Sequence, residues 1–423
     1  MKAFIPAKNN PFLHWLVDTI YWIALKAVQN IDEIVMKPED VELLKSMKSE
    51  RMLFFSNHPT TAEPPVTYQI ANMMGTRFRY MGSRQVFDWD FGLTGKLLSN
   101  IGAFSIIAGI NDRESLKTAR STLAAPEGKL VLYPEGEPTS GENDNLMPFQ
   151  QGVVQIALWA YEDAIKLDPN ADIKILPAFM KYVFNGTPEE LSEHLSESLK
   201  KIEKKFEIDP GNKNLLRRFL TVGRNILQHA ESMYNVSVKD EKDFDFRVGR
   251  VRHAILDSVA DKLGIKDYKK DQDAIMKLRQ LIAIIEMIGV KYEDPKLPKL
   301  TKDQLSWAKG EVEKAFDFVA IKKDYLVSYP SPERFYEWLL RFESYIFNKK
   351  PRMLGGLPPR KSRKAYVYLS KPVSLASYYA DYKKDKRGTS EKLLKDLRTN
   401  MQFMLDESLK MTKTLVNPGD IGE

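Results

Sequence analysis

Cysteine is absent from the 423 residues of this chain. Its absence excludes disulfides, thiolate nucleophiles and cysteine-ligated zinc. Histidine is scarce. His14, His58, His194, His229 and His253 are scattered, and no two have the HExxH spacing that sets two imidazoles on one helix face. No metal site is indicated, and no tightly bound cofactor is expected. Long apolar runs are missing too. Nothing reaches the roughly 18 consecutive apolar residues of a membrane span. Residues 1–10 show no signal-peptide pattern, so a cytoplasmic location is the default expectation. Zinc-finger, helix-turn-helix and RNP signatures are also lacking. The formal charge of +7 therefore points to anionic lipid surfaces or anionic substrates, not to nucleic acid.

What is present is the composition of a globular protein, soluble or peripherally bound to a membrane, with 43% hydrophobic and 29% charged residues. The length allows two domains, or one with a large insertion. Residues 12–28 carry Phe12, Trp15, Ile20, Trp22 and Ile23 around Asp18 and Lys26. This is a helix too short and too charged to span a bilayer. It either packs on the core or lies at an interface with its aromatics at headgroup level. A short helix is expected over 38–47. Apolar runs at 53–55, 78–82, 104–107, 129–133 and 173–179 read as strands, and helices are expected over 64–74, 112–123 and 152–160. Pro177 suggests that the last of these strands is interrupted or peripheral at that point. Residues 88–102 either pack in the core or line an apolar channel. The alternation of short strands and helices argues for an α/β layer fold.

From about 189 to 345 the pattern turns to charged amphipathic helix, with a clear stripe over 270–288. Residues 349–364 contain seven basic residues and no acid, and read as a linker or exposed basic loop. A second basic run lies at 383–387. Residues 365–369 then read as a strand, and 391–410 as a closing helix. A strand that follows a helical block suggests that the chain returns to the first sheet. The expected division is an α/β domain of 1–188 and 355–423, with a mainly helical insertion of 189–354.

The most informative stretch is 53–63. An apolar strand ends at Ser56-Asn57-His58, and Glu63 follows the histidine by five residues. Such a strand delivers its last polar side chains to the sheet edge where open α/β folds place their chemistry. His58 can act as a base near neutral pH, with Glu63 orienting its ring.

The Asn57-His58 pair with Glu63 resembles the first motif of the glycerolipid acyltransferase superfamily, of the lysophosphatidate acyltransferase type, whose pattern has Asp where this chain has Glu63. Gly102 to Ala108 matches the frame of the second family motif. Ala108 stands where the family has arginine, and Arg113 is the nearest one. Pro134-Glu135-Gly136 matches the third motif, with Glu137-Pro138 in place of the usual Thr-Arg. Phe149-Gln150-Gln151-Gly152, Leu176-Pro177 and the late strand 365–373 continue the family order.

The resemblance implies a mixed sheet flanked by helices with a helical insertion. It implies acyl transfer from acyl-CoA or acyl carrier protein to a hydroxyl of a lysophospholipid or related glycerolipid at an anionic membrane surface. His58 would be the general base and Glu63 its partner. Asn57, Arg113, Glu135, Gly136 and Glu137 would bind substrate. Two of these have bland alternatives: a structural turn for Glu135-Gly136, and a helix-surface ion pair with Glu114 for Arg113. The departures at Glu63, Ala108 and Pro138 carry an alternative function, a catalytically silent lipid-binding scaffold that recruits partners through the insertion.

Overall fold

A computed structural model describes residues 4–110, 112–136, 144–237, 242–349 and 358–420. The chain forms two compact units. One takes residues up to 139, 144–183 and 362–410; the other is built mainly from 184–361 and the tail beyond 410.

The first unit is an α/β layer around a mixed sheet. Its strands are β1 (Ile31–Met36), β2 (Arg51–Ser56), β3 (Arg79–Ser83), β4 (Ala103–Ile106), β5 (Lys129–Leu132), β6 (Ile173–Phe184), β7 (Arg363–Leu369) and β8 (Val373–Ser374). The order is β1-β7-β6-β2-β5-β3-β4, with β8 pairing β6. Strands β2 to β6 run parallel to one another, β1 is parallel to β7, and β8 is antiparallel to β6. Strand β7 runs against β6, because Ser370 N donates to Pro177 O while Arg363 lies over the Tyr182 ring.

Strand β2 lies inside the sheet and is covered on both faces, which is why it reads as an unbroken apolar run. Its side chains alternate between two cores. Leu53 and Phe55 join Leu130 and Leu132 against α6 (Gly152–Leu167) and α15 (Lys386–Ser408). Met52 and Phe54 join Val131 against α1 (Pro11–Gln29) and α3 (Glu63–Met74). The remaining helices of this unit are α2 (Pro38–Ser46), α4 (Leu93–Asn100), α5 (Arg113–Ala124) and α14 (Ala376–Lys384).

Several expectations need correction. Strand β1 was not anticipated; Asp32 and Glu33 in its middle mask a short edge strand. Pro177 does not interrupt β6, which continues through it beside β2. Its carbonyl faces Ser370, so its nitrogen faces the same side, where β7 gives way to β8 and no ladder donor is required. Residues 88–102 are not wholly core: Phe91, Leu93 and Leu97 are exposed. Arg363 and Lys364 do not belong to an exposed loop. They open β7, and Arg363 is buried. Residues 350–357 of that basic run lie outside the described residues.

The second unit contains α7 (Pro188–Lys205), α8 (Leu215–Met233), α9 (Phe244–Leu263), α10 (Ala274–Gly289), α11 (Lys302–Ala320), α12 (Lys323–Ser328) and α13 (Pro332–Phe347). Thr187 and Thr301 close capping boxes with Glu190 and Gln304 at the starts of α7 and α11. Its core is aromatic, with Phe219 of α8 packed between Phe335 and Phe342 of α13. Buried ion pairs such as Arg218–Glu203 and Arg341–Asp317 bridge neighbouring helices.

Candidate active site

The end of β2 gives three successive polar residues three different partners. Ser56 Oγ bonds Asn57 Oδ1 at 3.2 Å. The Asn57 side chain continues the sheet toward β6: Nδ2 donates to Met180 O at 3.0 Å, and Oδ1 accepts from Met180 N at 2.7 Å. Asn57 therefore holds the strand end in place. The His58 amide donates to Glu135 Oε1 at 2.8 Å, and its ring stacks on Tyr133 with centroids 4.2 Å apart.

The chain turns through Pro59 and the two threonines, then starts α3 at Glu63. Pro64 and Pro65 suit the first turn, where their missing N–H groups leave no helical bond unmade, and the acid suits the positive end of the helix dipole. Glu63 is fully buried, and its oxygens are occupied by four donors. Oε2 lies 2.7 Å from His58 Nδ1 and 3.0 Å from Thr60 N. Oε1 accepts from Thr60 Oγ1 at 2.8 Å and from Tyr182 Oη at 2.5 Å. Burial, and then the charge of Glu63, push the Tyr182 hydroxyl well above its usual range, so it stays a donor. With the Glu63 carboxylate accepting at Nδ1, the imidazole proton sits there and Nε2 carries the lone pair. No described residue hydrogen-bonds Nε2.

Strand β5 contributes the second acid. Beyond it, Tyr133 leads into Pro134-Glu135-Gly136. Gly136 N bonds Tyr133 O at 3.0 Å, and Gly136 adopts φ +80° beside the Gln150 amide, a conformation that favours glycine. Glu135 Oε1 takes the His58 N–H and Oε2 takes the Met147 N–H, at 2.9 Å. Burial pushes the Glu135 carboxyl up to about 7. The two backbone donors and Arg398 pull against that rise, and the Glu63 charge adds to it. Arg398 of α15 holds this segment from the other side, donating to Leu146 O and Met147 O at 2.7 and 2.6 Å.

Of the residues named from sequence, His58, Glu63, Glu135 and Gly136 converge, with Asn57 anchoring them. Arg113 does not join them. It is exposed at the head of α5, after β4, three strand positions from β2 in the sheet order, or roughly 14 Å at ordinary strand spacing. There it lines a groove of about 790 Å³ with Lys117, Arg120 and Trp159. Glu137 and Pro138 lie outside the described residues. Sequence reasoning missed Thr60, Tyr133, Tyr182, Arg363 and Arg398. Only Tyr133, the last residue of the β5 apolar run, carried a local signal. Among the described residues no three acids or histidines converge as a metal-ligand set.

No curated protein matches the chain. Residues 35–181, which include β2, the His58–Glu63 pair, the Glu135-Gly136 turn and β6 up to Lys181, match the acyltransferase family model.

Proposed function

We propose that this protein transfers a fatty acyl group from acyl-CoA or acyl carrier protein to a hydroxyl of a lysophospholipid or related glycerolipid. The observation that carries the reading is the His58–Glu63 contact of 2.7 Å, with Nε2 bound by no described residue, inside a span that matches the acyltransferase family model. His58 Nε2 takes the proton of the acceptor hydroxyl as its oxygen attacks the thioester carbonyl. Glu63 stabilises the imidazolium that forms. The tetrahedral intermediate then expels the thiolate, which recovers the proton from His58, leaving ester and free thiol. Gly136 N already serves Tyr133, so the oxyanion takes its donors from elsewhere. Glu135 shapes the site by fixing the His58 backbone.

The exposed face of α1 supports a peripheral place on an anionic membrane surface, facing the cytoplasm. Tyr21 and Leu25 pack inward, while Phe12, Trp15, Ile20, Trp22 and Ile23 are exposed, the amphipathic division of an interfacial helix. No helix among the described residues is long and apolar enough to cross a membrane.

The test is turnover of labelled acyl-CoA and acyl carrier protein against a panel of lysophospholipids. The wild type forms product, and His58→Ala lowers kcat/KM by about 10²–10⁴-fold, the usual share of a general base. Turnover unchanged in folded His58→Ala would overturn the base assignment. No turnover with any pair would favour the silent scaffold. For the membrane reading, the protein should pellet with anionic vesicles at low salt, and Trp15→Ser with Ile23→Ser should leave it in the supernatant. Equal pelleting of the two proteins would refute the role of α1.

A further inference from the structure

Behind Glu63, away from His58, lies a buried cation that the mechanism above does not use. Arg363 opens β7 and is 3% exposed. Its guanidinium carbon sits 4.4 Å over the Tyr182 ring, and the Tyr182 hydroxyl donates to Glu63 Oε1. Its Nε and Nη2 find no hydrogen-bond partner among the described residues. We propose that Arg363 is a positioning residue for the His58–Glu63 pair, holding Glu63 as the carboxylate that keeps the proton on His58 Nδ1, with Tyr182 as the intervening donor. This rests on the general-base reading.

Burying a cation without full hydrogen bonding is costly, so such a group is expected to answer a nearby negative charge. The negative partners that Arg363 senses are Tyr182 and Glu63, and the tyrosine is kept neutral by its own burial. Glu63 therefore supplies the charge. The groups facing Glu63 from the surrounding elements are His58 after β2, Tyr133 and Glu135 after β5, Tyr182 on β6 and Arg363 on β7. Glu135 adds negative charge when ionised. Arg363 is the permanent cation of this group.

The chain path explains how these residues meet. The helical unit takes over from the sheet unit at 184 and hands back at 362. Tyr182 and Arg363 are thus near the last and first sheet residues around it, on antiparallel neighbours. The face of a phenol ring is electron-rich, so a cation over it is attracted and strengthens its hydroxyl as a donor to a carboxylate. Removing the cation should take away support for the carboxylate form of Glu63. A protonated Glu63 donates to Nδ1 and forces the imidazole proton onto Nε2, which cannot then act as a base.

The experiment compares wild type, Arg363→Gln, Arg363→Lys and Tyr182→Phe in two readouts. The first is the pH profile of kcat/KM. The acid limb should move to higher pH by about 1 unit in Arg363→Gln, the low end for loss of an opposite charge at close range, with about a tenfold loss below the limb. Arg363→Lys should restore most of it, and Tyr182→Phe should shift the limb in the same direction. The second readout is the nitrogen NMR spectrum of labelled histidine, with His58 assigned from its loss in His58→Ala. The pH at which the ring changes tautomer should rise in Arg363→Gln and Tyr182→Phe.

A parallel drop at every pH, with the limb and tautomer unmoved, would make Arg363 a packing residue and overturn the proposal. If the wild type shows no acyl transfer, the function fails while the NMR arm still decides the coupling. If Arg363→Gln does not fold, Tyr182→Phe and Arg363→Lys carry the same two outcomes.

Discussion

The two ends of β5 solve the same problem with opposite charges. At its start, Lys129 is 3% exposed and its ammonium donates to the carbonyls of Lys48, Glu50 and Glu127. Burial pulls that ammonium down to about 8, with the charges of Glu127 and Glu50 opposing the fall. Beyond its end, Glu135 gathers the N–H groups of His58 and Met147. A buried cation caps carbonyls at one end, and a buried anion caps amides at the other. What differs is completeness. Three donors meet three acceptors at Lys129, so the site is closed and can only staple. At the other end the capped backbone belongs to a histidine whose Nε2 no described residue binds. Buried polar networks are common to structure and catalysis, and it is the reactive atom left without a partner that separates them.

Substitutions at the two ends should therefore fail in different ways. The largest effect is the His58→Ala loss of about 10²–10⁴-fold in turnover, with little change in the urea midpoint. Lys129→Met should do the reverse. It takes the ammonium from three part-buried carbonyls, two of them on exposed residues that water can reach, so at up to about 1 kcal/mol for each the loss is on the order of 1–3 kcal/mol in urea unfolding. Turnover per folded molecule should stay at the wild-type level. A fall in kcat of folded Lys129→Met would show that the two ends are coupled through β5 and would break the contrast.

The reactive end was the more legible of the two in the sequence. An apolar run that stops at Ser56-Asn57-His58 announces a strand end, and Pro134-Glu135-Gly136 announces a turn, because both depend on neighbours in the chain. The helical stripe of α10 was legible for the same reason. The supports were not. Lys129 looks like any lysine that opens a strand until the carbonyls of Lys48 and Glu50 join that of Glu127 around it. Arg363 sits in a run of basic residues whose composition reads as solvent-exposed, and its burial depends on β1 and β6 closing around it. Tyr182 is one aromatic in an apolar strand. The head of α5 shows the converse limit. Arg113 lies near the right place in sequence, but sheet order puts two strands, β5 and β3, between β4 and β2. Order along the chain located the dyad, and only the sheet revealed what stands behind it.

The smallest effect sharpens the comparison through pH. Glu135 has its carboxyl raised from 4.5 to about 7 in the folded protein, so the folded state holds that proton more tightly than the unfolded chain. Its contribution then favours folding most below pH 4.5 and is lost as pH rises through 7. Glu135→Gln removes the titration. The glutamine oxygen still accepts one backbone N–H, while its amide group faces the other, a loss of about 1 kcal/mol at neutral pH. Across the window from 4.5 to 7, wild-type stability should fall relative to Glu135→Gln, so the gap between the two proteins narrows as pH rises. Urea unfolding at intervals through that window measures the slope. A gap that widens instead would mean that the two backbone donors outweigh burial. Glu135 would then be a charged staple like Lys129, and the contrast between the two ends would rest on His58 Nε2 alone.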